Sequence, residues 1–175
     1  IAANPTLPPA RALKSRFVNE LARRSDWRGL LAFNPDKPTG TEAQCNYYYA
    51  KWNVGQAQEA WDGAKALWLS GKSQPNACDQ LFGAWRASGQ QDPLAYLERI
   101  RLAMKAGNTR LVTALAGQMP SDYQTISTAV IGLANDPNSV LTFARSTGAT
   151  DFTRQMAAVA FASVARDDVE NARLM

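Results

Sequence analysis

The chain has 175 residues, 46% hydrophobic and 19% charged, proportions that suit one globular domain or a piece of a larger one and exclude a disordered tail. With no histidine and two cysteines, it lacks imidazole bases, Ser-His-Asp triads and the ligands of most catalytic zinc sites. The formal charge of +4 is lopsided: residues 1–28 hold Arg11, Lys14, Arg16, Arg23, Arg24 and Arg28 against Glu20 and Asp26, and the remainder is balanced.

One basic helix is the pattern of a solvated face, or of a surface docked on an acidic neighbour, so no nucleic-acid partner is expected. The balance of 30 Ala and 16 Leu against 8 Val and 4 Ile favours helix over strand and points to an all-α protein. No apolar run reaches about 18 residues, so no membrane span is expected. The opening Ile1-Ala2-Ala3-Asn4-Pro5 has neither the charged nor the apolar region of a signal peptide. Two readings follow: a cytoplasmic protein, or a leader that lies outside this chain. At the other end Met175 closes a mid-helix stretch, Glu170-Asn171-Ala172-Arg173-Leu174, which fits truncation.

In chain order, Gly and Pro punctuation predicts short helices over residues 8–25, 26–33, 41–54, 56–70, 76–88, 92–106, 108–118, 121–135, 138–146, 150–166 and 168 onward. Asp26, Thr41, Asp92-Pro93, Ser121, Asn138 and Asp151 mark their starts. Asn34-Pro35, Gly55, Gly71, Gly89, Gly107, Pro120, Pro137 and Gly148 mark their ends. Connections this short make successive helices antiparallel hairpins. A weak repeat places small or apolar residues five either side of a bend: Ala50-Gly55-Ala60, Ala84-Gly89-Leu94, Leu102-Gly107-Val112 and, less well, Ala162-Asp167-Ala172. The uneven intervals predict an irregular α-superhelix, a solenoid of short antiparallel helix pairs filling residues 1–175 as a single segment.

Apolar spacing of three and four makes Ala57, Ala60, Trp61, Ala64, Leu67 and Trp68 one buried stripe. Leu94, Leu97, Ile100, Leu102 and Met104 are expected to continue it, as are Phe152, Met156, Val159, Ala160 and Val164. The stretch Met156–Ala165 is apolar nearly all round, with Ala157, Ala158, Phe161 and Ala162 on its other face, so covering on two sides is expected, with chain not present here as a candidate for one of them.

Cys45 lies early in one predicted helix and Cys78 follows Pro75-Asn76, where the next-but-one begins. Number alone does not choose between two buried thiols and a bridge. The flanks favour a bridge, and a crosslink there closes a loop of about 34 residues, worth roughly 3 to 4.5 kcal/mol in the chain-entropy model.

The five glutamates, Glu20, Glu42, Glu59, Glu98 and Glu170, sit among polar helical neighbours and lack the apolar setting that raises a carboxyl pKa for acid catalysis. No G-x-G-x-x-G or G-x-x-x-x-G-K-S/T loop occurs, so no nucleotide or other cofactor is expected, and no metal. Tyr47-Tyr48-Tyr49 span about 200° of a helix, so at least one ring should see solvent. A ring such as Tyr48 there suits stacking on a sugar or seating a peptide, beside the ordinary reading of a tyrosine at the edge of a core.

Several stretches closely resemble the soluble lytic murein transglycosylases of enteric bacteria. They are Ala3-Asn4-Pro5-Thr6-Leu7-Pro8-Pro9-Ala10-Arg11, Ser15-Arg16-Phe17-Val18-Asn19-Glu20-Leu21-Ala22-Arg23-Arg24, Asp26-Trp27-Arg28-Gly29-Leu30-Leu31-Ala32-Phe33, Cys45-Asn46-Tyr47-Tyr48-Tyr49-Ala50-Lys51-Trp52-Asn53, Gln91-Asp92-Pro93-Leu94-Ala95-Tyr96-Leu97-Glu98-Arg99 and Gly148-Ala149-Thr150-Asp151-Phe152-Thr153-Arg154-Gln155-Met156. The resemblance runs the full length and implies the N-terminal part of a superhelical U-domain in a ring-shaped periplasmic enzyme. In that family a linker domain and a lysozyme-like catalytic domain follow, cleaving between N-acetylmuramic acid and N-acetylglucosamine with formation of a 1,6-anhydro ring.

The family's catalytic Glu precedes Ser and is accompanied by Gly-Leu-Met-Gln and Ala-Tyr-Asn stretches. None of the five glutamates here precedes Ser and neither stretch occurs, so no catalytic residue carries over. The resemblance also implies a disulfide between Cys45 and Cys78. The expectation is a non-catalytic scaffold whose partners are peptidoglycan glycan strands, met through the full-length enzyme, and the linker and catalytic domains of the same chain. Arg23, Arg24 and Tyr48 are its candidate contacts with glycan or with a neighbouring domain. The competing class is a tetratricopeptide-like protein- or peptide-interaction module; it calls for inward Asn, Lys and Arg at repeat spacing, which the sequence lacks. A stand-alone muralytic enzyme is the third.

Overall fold

The structure, a computed structural model, describes residues 8–174. The opening segment read for a leader and the terminal Met175 lie outside the described residues. Among the described residues there are eleven α-helices and no strand: α1 (Pro8–Arg23), α2 (Trp27–Phe33), α3 (Thr41–Asn53), α4 (Ala57–Trp68), α5 (Ala77–Ala87), α6 (Pro93–Lys105), α7 (Thr109–Ala116), α8 (Gln124–Asn135), α9 (Val140–Ser146), α10 (Asp151–Asp167) and α11 (Val169–Leu174). The fold is all-α, made of short helix pairs joined by tight bends, and each helix falls within a residue or three of its predicted span. Short 3-10 turns, Ser121–Tyr123 and Pro137–Ser139, lead into α8 and α9, where Pro120 and Pro137 fix the entering backbone.

The helix ends show why the punctuation works. At the end of α3 the Gln56 amide donates to the Lys51 carbonyl at 2.9 Å and the Gly55 amide to Trp52 at 3.0 Å, with Gly55 at φ 89°. This is a Schellman cap, and its left-handed residue favours glycine. Gly107 closes α6 in the same way at φ 66°, with Asn108 donating to Ala103 and Gly107 to Met104. The same pair of bonds ends α1, from Asp26 to Leu21 and from Ser25 to Ala22, but there Ser25 holds the left-handed position at φ 57°.

Several expected starts shift by a residue or two. Asp26 and Asp92 cap as predicted, accepting from the Gly29 and Leu94 amides. Thr41, however, is the first residue inside α3, with Gly40 at the cap. Thr150, not Asp151, caps α10, in a reciprocal box with Thr153. Asp136, not Asn138, accepts from the amide at the turn before α9. Ser121 opens its 3-10 turn behind Pro120 with no side-chain cap.

The described residues form two compact units. The first runs to Trp68 and resumes over Gln74–Gln91. There α3 is packed by α1, α2, α4 and α5, and Cys45, Ala50, Ala60, Ala64, Leu30, Leu81 and Cys78 are fully buried. Of the predicted α4 stripe, Ala60, Ala64 and Trp68 are buried while Ala57 is exposed. Trp68 meets Phe82 and Trp85 edge-on at 5.0 and 6.2 Å. Cys45 and Cys78 form the disulfide, which ties the start of α3 to the start of α5.

The second unit, Leu69–Ser73 with the chain from Asp92 onward, is organised around α10, which packs on α6, α8, α9 and α11. Met156, Ala160 and Val164 are its buried face. Ala158, Phe161 and Ala162 are exposed, so within this unit α10 is covered on one side, and its second apolar side is open. The predicted α6 stripe also fails in part: Leu94 is 72% exposed, and the buried face is Ala95, Arg99, Ile100 and Ala103. The buried residues Ala95, Arg99 and Ala103 recur every four positions, and Leu94 lies a step of about 100° off that line. Accordingly the five-residue repeat packs well at Ala50-Gly55-Ala60 and at Leu102-Gly107-Val112, and does not at Leu94 or Ala162.

Candidate functional site

Arg23 and Arg24 extend from the end of α1, exposed but engaged. Arg23 donates through Nε and Nη2 to the Glu20 carboxylate at 2.8 and 2.7 Å, and Arg24 Nε joins them at 2.5 Å. These hydrogen bonds, Arg23's first and Arg24's second, pull the Glu20 carboxyl down to about 2. Glu20 therefore stays ionised and offsets one of the two guanidinium charges.

Tyr48 is half-buried on α3. Its ring lies over Gly63 of α4, where any side chain would overlap it, and meets Tyr47 at 5.3 Å. Tyr47 is buried with its hydroxyl donating to the Pro35 carbonyl at 3.3 Å. Tyr49 runs edge-on into Trp27 at 5.1 Å and on to Trp52 at 5.4 Å. All three tyrosines are thus packed, and Tyr48 and Tyr49 keep partial exposure; helices on both sides of α3 cover most of the arc that a lone helix would show to water.

The structure does not gather Arg23, Arg24 and Tyr48 into one site. Arg23 lines an open groove of about 230 Å³ together with Asn19, Trp27, Glu42, Asn46 and Gln80, and neither Arg24 nor Tyr48 reaches it. A wider open cleft of about 920 Å³ shares Asn19 and Glu42 and extends past Lys14 to Asp36 and Lys37. Between the two, Asn19 Nδ2 donates to Glu42 Oε1 at 3.3 Å. Nothing in the linear pattern brings Trp27, Asn46 and Gln80 together, because their meeting depends on α1, α2, α3 and α5 converging; the one local hint is that Asn46 and Gln80 flank the two cysteines.

The glutamates are matched with partners. Besides Glu20, Glu59 pairs with Lys51 at 3.1 Å, Glu98 with Arg101 at 2.5 Å, and Glu170 with Arg173 at 2.9 Å, while Glu42 accepts from Asn19. The Arg101 hydrogen bond lowers the Glu98 carboxyl. A glycosidic general acid needs the opposite shift. Among the described residues no three His, Cys, Asp or Glu groups converge as a metal site, and no helix is long and apolar enough to cross a membrane.

Stacked short helices and a buried disulfide define an all-α protein of short helix pairs. No family model matches the chain, but individual relatives do. Over its full length it is 82% identical to soluble lytic murein transglycosylase of Escherichia coli K12 and 80% identical to that of Salmonella typhimurium, covering 27% of each. The crystal structure of the 70 kDa soluble lytic transglycosylase from Escherichia coli superimposes with a TM-score of 0.89 at 83% identity, over 99% of this chain and 28% of that one. An inactive variant of lytic transglycosylase Slt from Pseudomonas aeruginosa matches at 31% identity and a TM-score of 0.79, over 95% and 27%. The chain thus spans about a quarter of the length of these relatives. Over its whole length it matches the N-terminal part of soluble lytic murein transglycosylases.

Proposed function

We propose that residues 1–175 are a non-catalytic segment of the α-superhelical scaffold of a periplasmic soluble lytic transglycosylase. The remainder of the enzyme cleaves between N-acetylmuramic acid and N-acetylglucosamine in peptidoglycan and closes the 1,6-anhydro ring. The observation that carries this reading is the full-length match to only a quarter of relatives named as murein transglycosylases. The partnered glutamates support it, since Glu20 and Glu98 are both drawn toward the ionised form. The buried Cys45–Cys78 bridge supports an oxidising compartment such as the periplasm.

On this reading the partners are peptidoglycan strands and the linker and catalytic domains of the same enzyme, with Arg23, Arg24 and Tyr48 as surface contacts. Turbidity of a purified cell-wall suspension is the test. Added chain leaves it unchanged, and a clear drop overturns the scaffold assignment.

A further inference from the structure

The groove beside Arg23 combines three features that sugar recognition requires. The first is an aromatic platform. Trp27 lines it, and the ring is held by its edge contact with Tyr49 at 5.1 Å and by packing on the cluster of Val18, Leu30 and Ala50. The apolar face of a pyranose stacks on such a ring at little conformational cost, because the indole is already held.

The second feature is a set of uncommitted polar groups around that platform. The carboxamides of Asn46 and Gln80 carry no hydrogen bond to the protein among the described residues. They offer paired donors and acceptors, which match sugar hydroxyls and an acetamido group. One turn before Asn46 on α3, the Glu42 carboxylate keeps further acceptor capacity beyond its bond from Asn19.

The third feature is rigidity. Asn46 follows Cys45 in α3, and Gln80 lies two residues after Cys78 in α5, so the buried disulfide fixes the separation of the two walls. At about 230 Å³ the groove falls below the roughly 300 to 1,000 Å³ usual for whole small-molecule ligands. That size suits one ring of a longer strand.

We propose that this groove is a holding subsite for a single N-acetylated aminosugar of a glycan strand. Trp27 is the stacking platform, Asn46 and Gln80 the hydrogen-bonding walls. Glu42 serves as an acceptor, since it is exposed rather than set in the apolar surroundings a general acid needs. The proposal rests on the scaffold reading above and adds to it a ligand class and a location.

The test is an amide-resolved NMR titration of the 175-residue chain with the tetramer of N-acetylglucosamine, and separately with a free stem tetrapeptide. Expected are saturable shifts at the Trp27 indole N–H and at the side-chain amides of Asn46 and Gln80 with the sugar, and none there with the peptide. Asn46→Ala combined with Gln80→Ala weakens sugar binding about tenfold while the circular dichroism spectrum and melting temperature stay unchanged. The proposal is overturned by no shift at these groups at millimolar sugar, by shifts confined to another surface, by binding of the peptide in place of the sugar, or by a folded double variant with undiminished affinity. Should any of these occur while cell-wall turbidity remains flat, the subsite falls and the scaffold reading stands. Clearing of the suspension removes the scaffold reading itself, whatever the titration shows.

Discussion

Replacing both half-cystines, Cys45→Ala with Cys78→Ala, deletes a crosslink between positions 33 residues apart. In the chain-entropy model a closed loop of that size restricts the unfolded chain by about 3.8 kcal/mol at 25 °C. Both positions are fully buried, so the vacated sulfur volume adds a smaller packing loss in the same direction. Spread over a single cooperative transition of the whole chain, 3.8 kcal/mol lowers the melting temperature by about 8–15 °C; carried by the first unit alone, it lowers that unit's transition by about 15–30 °C. Thermal melts by far-ultraviolet circular dichroism read the shift. Denaturant titration reads the accompanying rise in slope as the unfolded chain loses its tether. A double variant that melts within about 2 °C of the parent refutes the reasoning, as does intact-mass analysis that finds two alkylated thiols in parent protein never exposed to reductant.

Gly63→Ala drives a methyl into the Tyr48 ring and destabilises by about 1–3 kcal/mol; combining it with Tyr48→Ala gives a loss smaller than the sum, read from a double-mutant cycle in denaturant. Ser25→Gly relieves the left-handed strain at φ 57° and raises the denaturation midpoint, by up to about 1 kcal/mol in stability. Thr150→Ala removes the cap on the Thr153 amide and costs about 1–2 kcal/mol. Glu20 is drawn from 4.5 to about 2, first by Arg23 and then by Arg24. A folded-state value below the unfolded one stabilises the fold above pH 4.5, and that contribution is lost as pH falls through about 2. Glu20→Gln should flatten the acid limb of stability in that window, and a Glu20 carboxyl titrating near 4.5 by NMR would contradict it.

The helices were legible because their boundaries are written in residues with one strong backbone preference. Gly55 and Gly107 end helices by accepting left-handed φ, and Asp26 and Asp92 begin them by accepting an amide hydrogen bond. Where two capping residues adjoin, as in Thr150-Asp151, either fits the pattern, and the choice fell to the hydroxyl pair Thr150 and Thr153. Faces were harder to read than boundaries. Hydrophobicity alone favoured Leu94, but the face of α6 that packs inward runs through Ala95 and Arg99 and leaves that leucine outside. Arg23, Arg24 and Tyr48 stood out by residue type, yet their surroundings are tertiary: a carboxylate one turn away engages the arginines, and a glycine on the next helix receives the ring. The groove walled by Asn46 and Gln80 had no sequence signature, because two amides 34 positions apart become neighbours only when the cystine draws their helices together.

The bends at Gly55 and Gly107 carry a consequence for chemical synthesis. Both glycines hold positive φ, and the space where a Cβ would sit is empty within 4 Å. Their requirement is therefore one of handedness and not of room. A D-alanine at either bend, introduced by ligation of synthetic segments, would find its own preferred backbone there. Its methyl would narrow the wandering of the denatured polypeptide, so that stereochemistry becomes a lever on stability at these two bends.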